Sequence, residues 1–180
     1  MLQPIALVGL PGVGKSTIGR RLARVMGRTL LDTDAMVEAA AGLSIAEIFE
    51  REGEPVFREL EAAALARCMT HGSESVISTG GGIVLAPRNR TCLATETFAI
   101  YLRVPAERLI SRLARGQRPA FRSGDVAGKL SILEEQRDPL YRAVASLTLD
   151  VERMPLTSIV EQLTIHLDAN LPHKSASTVR

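Results

Sequence analysis

The segment Gly9–Ser16 reads Gly-Leu-Pro-Gly-Val-Gly-Lys-Ser, a full match to G-x-x-x-x-G-K-[ST], between a short apolar run at Ile5–Val8 and an amphipathic stretch at Thr17–Met26. This motif constrains the fold more than any other feature. It works only where a strand delivers a glycine turn to the N-terminus of a helix. There, backbone N–H groups wrap a β-phosphate and the helix dipole favours the anion. Lys15 supplies a charge to the β- and γ-phosphates, and Ser16 offers a hydroxyl to Mg2+. Gly12, Val13, Gly14, Lys15, Ser16 and Thr17 are therefore the candidate nucleotide-binding residues.

The rest of the chain suits such a turn. Strand-length apolar runs at Ile5–Val8, Thr29–Leu31, Val76–Ser78, Phe98–Leu102 and Leu147–Val151 alternate with stretches of helical period. Helices are expected at Thr17–Met26, Ala35–Ala41, Val56–Thr70, Pro87–Ala94, Pro105–Leu113, Val126–Ala145 and Leu156–Leu167. A further helix starts after Ser44, with Glu47 completing a capping box. Strands separated by helices imply βαβ units, hence a three-layer α/β/α fold on a central five-stranded parallel sheet. Residues 1–170 read as one domain, and 171–180 as a disordered tail. Ala114–Gly124 breaks the pattern with Gly116, Pro119 and Gly124, and reads as a mobile lid over about residues 113–125.

Ligands gather beyond the carboxyl ends of such strands. Three strand ends here run into chemically loaded sequence: the glycine loop at Gly9, the pair Asp32 and Asp34, and the run Gly80–Gly82. One aspartate can hold Mg2+, directly or through water, while the other accepts a proton from a substrate hydroxyl. Alternatively, Asp34 simply caps the following helix. Arg58 and Glu61 share a helical face, which alone is no more than a surface pair. Three consecutive glycines sacrifice backbone entropy, as expected where a ligand meets main-chain N–H groups, with a plain flexible loop as the alternative. Arg112, Arg115, Arg118 and Arg122 cluster around the Ala114–Gly124 segment, which reads by default as a solvated basic loop and alternatively as a lid whose closure brings an arginine to a transferring phosphoryl group. Arg137 precedes Asp138-Pro139-Leu140-Tyr141, in a helix expected to be interrupted by its proline.

Composition excludes several classes. A net charge of +2, aromatics at 3% and no Trp argue against a nucleic-acid surface. No apolar run nears the roughly 20 residues of a membrane span. The N-terminus lacks the basic region of a signal peptide. Cys68 and Cys92 form no C-x-x-C pair and read as reduced, inert thiols of a cytoplasmic protein. His71, His166 and His173 have no ligand spacing and receive no role. All but three of the 22 basic residues are arginine, which position alone can interpret.

Taken together, GLPGVGKST at Gly9–Thr17, D-x-D at Asp32–Asp34, F-R-x-x-E at Phe57–Glu61, T-G-G-G at Thr79–Gly82, R-P at Arg118-Pro119 and R-x-P-L-Y at Arg137–Tyr141 resemble the shikimate kinase family. The resemblance runs from about Ile5 to Leu167 and implies a nucleoside-monophosphate-kinase-like phosphate-loop fold. It implies ATP-dependent phosphorylation of the 3-hydroxyl of shikimate, giving ADP and shikimate 3-phosphate. The expected partners are the small molecules shikimate and ATP, with a monomer as the default expectation. Arg58 and Arg137 would clamp the substrate carboxylate, with Glu61 orienting Arg58. Asp34 would bind ring hydroxyls and act as base, and Gly80, Gly81 and Gly82 would floor the site. Arg118 would bridge substrate and γ-phosphate, while Arg112 or Arg115 would stack on adenine. Lys15 would contact the phosphates, and Asp32 would hold Mg2+ through water beside Ser16. A kinase of another small polyol acid such as gluconate, or a non-catalytic kinase-like ligand sensor, is the competing reading.

Overall fold

The computed structural model describes residues 3–72, 74–114 and 125–170. Most of the expected lid, including Arg115, Arg118 and Arg122, and the expected tail at 171–180 lie outside the described residues. Strands β1 (Ile5–Val8), β2 (Thr29–Asp32), β3 (Ser75–Ser78), β4 (Phe98–Arg103) and β5 (Leu147–Asp150) form one sheet in the order β2-β3-β1-β4-β5. Every pairing is parallel. The central strand β1 is covered on both faces, which explains why its sequence is apolar without alternation. The edge strand β5 alternates half-buried and exposed positions instead.

Helices α1 (Lys15–Met26), α2 (Thr33–Ala41), α3 (Ile45–Arg51), α4 (Gly53–Thr70), α5 (Pro87–Glu96), α6 (Ala106–Ala114), α7 (Val126–Val144) and α8 (Leu156–Asn170) flank the sheet. Ile18 and Leu22 of α1, Leu65 of α4, Leu93 of α5, Leu109 of α6, Tyr141 of α7 and Leu163 of α8 join the strands in one core. A second, smaller cluster of Val37, Ile48, Phe57 and Ala64 ties α2, α3 and α4 together. Among the described residues, no helix is long and apolar enough to cross a membrane.

Several element ends differ from the sequence expectation. Helix α1 begins at Lys15 rather than Thr17, because Gly14 turns the chain through the left-handed region immediately before it. Helix α2 begins at Thr33 rather than Ala35, and its N-cap is Asp32, whose Oδ1 accepts from the N–H groups of Asp34 and Ala35. The capping role considered for Asp34 therefore falls to its neighbour. Helix α4 starts at Gly53 rather than Val56, since Pro55 lies in the first turn, where a missing N–H costs nothing. Helix α7 runs unbroken through Pro139, so the expected interruption beside Arg137 is absent. The capping box at Ser44 and Glu47 forms as the spacing predicts.

The phosphate loop is held by crowding as well as by dihedrals. Gly9 has φ +145°, and a Cβ there would come within 2.6 Å of the Leu102 carbonyl oxygen. Gly9→Ala is expected to cost about 1–3 kcal/mol of strain, lowering the thermal midpoint by about 3–10 °C in a chain of this size. A melting curve within 1 °C of the parent's would contradict this account of the loop.

Candidate active site

The sheet order places the carboxyl end of β1 between those of β3 and β4, with β2 beyond β3. The glycine loop, the Thr79–Gly82 segment and the Asp32–Asp34 pair thus emerge on one edge. Lys15 is only 7% exposed, and its ammonium donates to the carbonyls of Gly9 (2.7 Å) and Leu10 (2.9 Å) inside its own loop. Ser16 Oγ donates to Asp32 Oδ2 at 2.7 Å and lies 3.1 Å from Ser78 Oγ. A hydroxyl and a carboxylate from separate elements therefore meet at the loop's exit. Val13 is buried, Thr17 is exposed, and Gly12 faces Leu113 of α6. That contact brings the last turn of α6, with the exposed Arg112, beside the loop.

The glycine run is the meeting point of the remaining groups. None of the three has a positive φ, so conformational freedom does not explain them. Space does. A Cβ on Gly80 would approach Asp34 Oδ1 to 2.6 Å and Glu61 Oε1 to 2.7 Å. One on Gly81 would approach Pro11 of the phosphate loop to 2.9 Å, and one on Gly82 would overlap the Arg58 guanidinium. The expectation that these glycines admit a ligand to the backbone is thus joined by a simpler cause: four protein groups already press on them. The N–H of Gly80 donates to Thr33 Oγ1, and the Gly81 carbonyl accepts from the hydroxyl of Tyr141. A single turn of 3-10 helix at Ile83–Leu85 follows, unforeseen in the sequence. Asn89 and Arg90 of α5 pin its carbonyls.

Arg58 and Glu61 are not the surface pair that i,i+3 spacing alone suggests. Glu61 is 1% exposed and accepts from Arg58 Nη1 at 2.8 Å. Burial pushes its carboxyl above the ordinary value, opposed by the charge and hydrogen bond of Arg58 and reinforced by the charge of Asp34. Burial likewise works against the Arg58 cation, but the carboxylates of Glu61 and Glu54 outweigh it and hold the guanidinium above its usual value. Glu61 Oε1 and Arg137 Nε are buried without a hydrogen-bond partner. Arg103 Nε is a third such atom; orphans of this kind are uncommon in folded proteins, and a catalytic role is one explanation for them. Arg137 neighbours the Tyr141 hydroxyl, and its charge reaches Glu61, so the two arginines flank one buried glutamate.

Several contributors escape sequence reasoning. The chain has only two tyrosines, and both are fully buried, stacked with ring centroids 5.0 Å apart. Tyr101 donates to Asp138 Oδ1, while Asp138 Oδ2 accepts from Arg142 Nε. A column from Asp138 through Tyr101 and Tyr141 to Gly81 thereby backs the glycine run. The position of Tyr141 inside R-x-P-L-Y was the available signal for it, whereas Thr33, Ser78 and Tyr101 carry none. The cysteines match their expectation: burial raises both thiols to about 11, far from a reactive thiolate. Among the described residues, no three His, Cys, Asp or Glu side chains gather as a metal cluster.

Comparison with known proteins gives a consistent result. A family model described as shikimate kinase matches residues 11–168. A shikimate kinase of Bordetella pertussis is 44% identical over 167 residues, 92% of this chain and 79% of that protein. One from Mycobacterium ulcerans is 41% identical over 179 residues, 99% of this chain and 96% of that protein. A solved shikimate kinase of Acinetobacter baumannii, in complex with shikimate, superposes with TM-score 0.88 at 36% identity, covering 96% of this chain and 97% of that one.

Tyr141→Phe is expected to leave the buried Gly81 carbonyl without its donor, at a cost of about 1–3 kcal/mol. Chemical denaturation should show a lower midpoint with an unchanged slope. An unaltered midpoint would remove Tyr141 from the support of the glycine run.

Proposed function

The chain belongs to the shikimate kinase family, and from that premise we propose that it transfers the γ-phosphoryl group of ATP to the 3-hydroxyl of shikimate, giving shikimate 3-phosphate and ADP. One observation carries the residue-level reading. The glycine run that abuts the phosphate loop at Pro11 also abuts Asp34, Glu61 and Arg58. An acceptor on that floor has a carboxylate and a cation on one side and the phosphates of a nucleotide on the other.

Arg58 and Arg137 hold the acceptor carboxylate, for which the planar guanidinium fork is suited and an ammonium is not. Glu61 fixes Arg58 through the 2.8 Å hydrogen bond. Asp34 receives the proton of the attacking hydroxyl. As the new O–P bond forms, the bond from the γ-phosphorus to the bridging oxygen breaks, and ADP departs with its electron pair. Lys15 stabilises the β- and γ-phosphates from its buried place in the loop. Gly12, Val13, Gly14, Ser16 and Thr17 complete the phosphate cradle. Arg118, from the lid segment, supplies positive charge to the transferring group, and Arg112 or Arg115 stacks on adenine.

Ser16 and Asp32 fit Mg2+. They offer a hydroxyl and a carboxylate as hard oxygen donors already in contact, and Mg2+ is usually held by one or two protein oxygens with phosphate and water as the rest. Ser16 would bind the ion directly and Asp32 through water. When bound, it neutralises charge on the β- and γ-phosphates.

The direct test is an assay coupled to ADP release, with Mg·ATP and shikimate, gluconate or nucleoside monophosphates in turn. Turnover is expected with shikimate alone, and a preference for gluconate would overturn the acceptor assignment. Asp34→Asn is expected to lower kcat about 10²–10⁴-fold while ATP binding stays close to the parent's. Arg137→Lys should raise the shikimate KM through lost bidentate geometry, with the ATP KM unmoved. An unchanged shikimate KM would take Arg137 out of the clamp.

A further inference from the structure

Arg58 meets two carboxylates, and they differ in one decisive respect. Glu61 takes Nη1 and is buried, 1% exposed. Glu54, one turn earlier on α4, accepts from both Nε (3.1 Å) and Nη2 (2.8 Å) through Oε1, and its side chain is 57% exposed. The backbone of Gly82 closes on the remaining side, where a Cβ would lie 2.7 Å from Cζ and from Nη2. Three of the five guanidinium N–H groups are thus taken, and the edge formed by Nε and Nη2 is held by Glu54. An incoming carboxylate can gain paired hydrogen bonds on that edge only by displacing Glu54. Glu61 cannot leave without a buried charge losing its cation, a costly step. Glu54 can turn into water, since an exposed ion pair holds weakly.

We propose that Glu54 is a resident carboxylate that occupies the Nε/Nη2 edge of Arg58 before the acceptor binds and is exchanged for the acceptor's own carboxylate, so that Glu54 sets acceptor affinity. The inference rests on the reading of Arg58 as part of the carboxylate clamp. The exchange conserves charge at the cation: one carboxylate leaves as another arrives, and the part-buried guanidinium, 19% exposed, always has a counter-charge on that edge. It also explains why the edge is held by the exposed residue of the pair. A neutral acceptor lacks the group that drives the exchange and leaves Glu54 in place. A role confined to helix stability is a different matter, because an i,i+4 pair and a first-turn glutamate act on folding irrespective of the ligand.

Titration calorimetry with the full chain separates these roles, using shikimate and its uncharged methyl ester against the parent, Glu54→Gln and Arg58→Lys. Glu54→Gln is expected to bind shikimate about two- to five-fold more tightly, the range that an exposed pair's strength allows. It should bind the methyl ester as the parent does. Arg58→Lys should bind shikimate more weakly. If Arg58→Lys weakens binding while Glu54→Gln does not strengthen it, the exchange is overturned and the clamp stands. Equal tightening of acid and ester also overturns the exchange, because the effect would then ignore the carboxylate. An Arg58→Lys protein with parental affinity removes the clamp and the exchange together.

Discussion

The glycine run after β3 is the constraint on which the site depends. Leu7 of β1 stands opposite Ser78 of β3, and its carbonyl accepts from both the N–H (3.3 Å) and the hydroxyl (2.8 Å) of Thr79. That double anchor fixes where β3 ends relative to β1, and so where Gly80–Gly82 lies relative to the phosphate loop. Each following glycine then faces a different group: Asp34 and Glu61, Pro11, and Arg58. A side chain at any of the three would push apart groups that belong to the loop, to α2 or to α4. Packing here and geometry at the site are the same requirement. Tyr141 and Thr33 lock the run at Gly81 and Gly80, and both are fully buried.

Legibility in the sequence followed the range of the interactions involved. The phosphate loop, the parallel sheet and the Ser44 capping box rest on local patterns, and each formed where the spacing placed it. The sequence pattern starts helices two or three residues late at Lys15, Thr33 and Gly53, because the residues that launch them double as loop or motif residues. Pro139 misled for a related reason. A proline costs a helix one hydrogen bond and a steric clash, but α7 is anchored on either side of it by Leu130, Tyr141 and Val144 in the core. Burial was the least visible quantity. The same i,i+3 spacing describes a solvated pair and the buried Arg58–Glu61 contact, and the packing of Phe57 and Ala64 into the second cluster and of Leu65 and Cys68 into the main core turns that face of α4 inward. Tyr101 was silent because its value lies in a stack on Tyr141, forty residues away in the chain.

The arginine excess acquires meaning from these positions. Arg24, Arg51 and Arg153 are exposed, and the ion pairs of Arg51 and Arg153 are of the weak surface kind. Arg58 and Arg137 instead bring cations into ground where Glu61 is almost wholly desolvated and Asp34 adds a second negative charge. With Glu54 on Arg58, three carboxylates face two arginines, and a further uncompensated charge on such buried ground costs several kcal/mol. A monoanionic acceptor adds such a charge unless one departs. Of the carboxylates around Arg58, Glu54 is exposed enough to leave without stranding its partner, so the exposure of a single glutamate becomes the variable through which the site can accept an acid without adding to its negative charge.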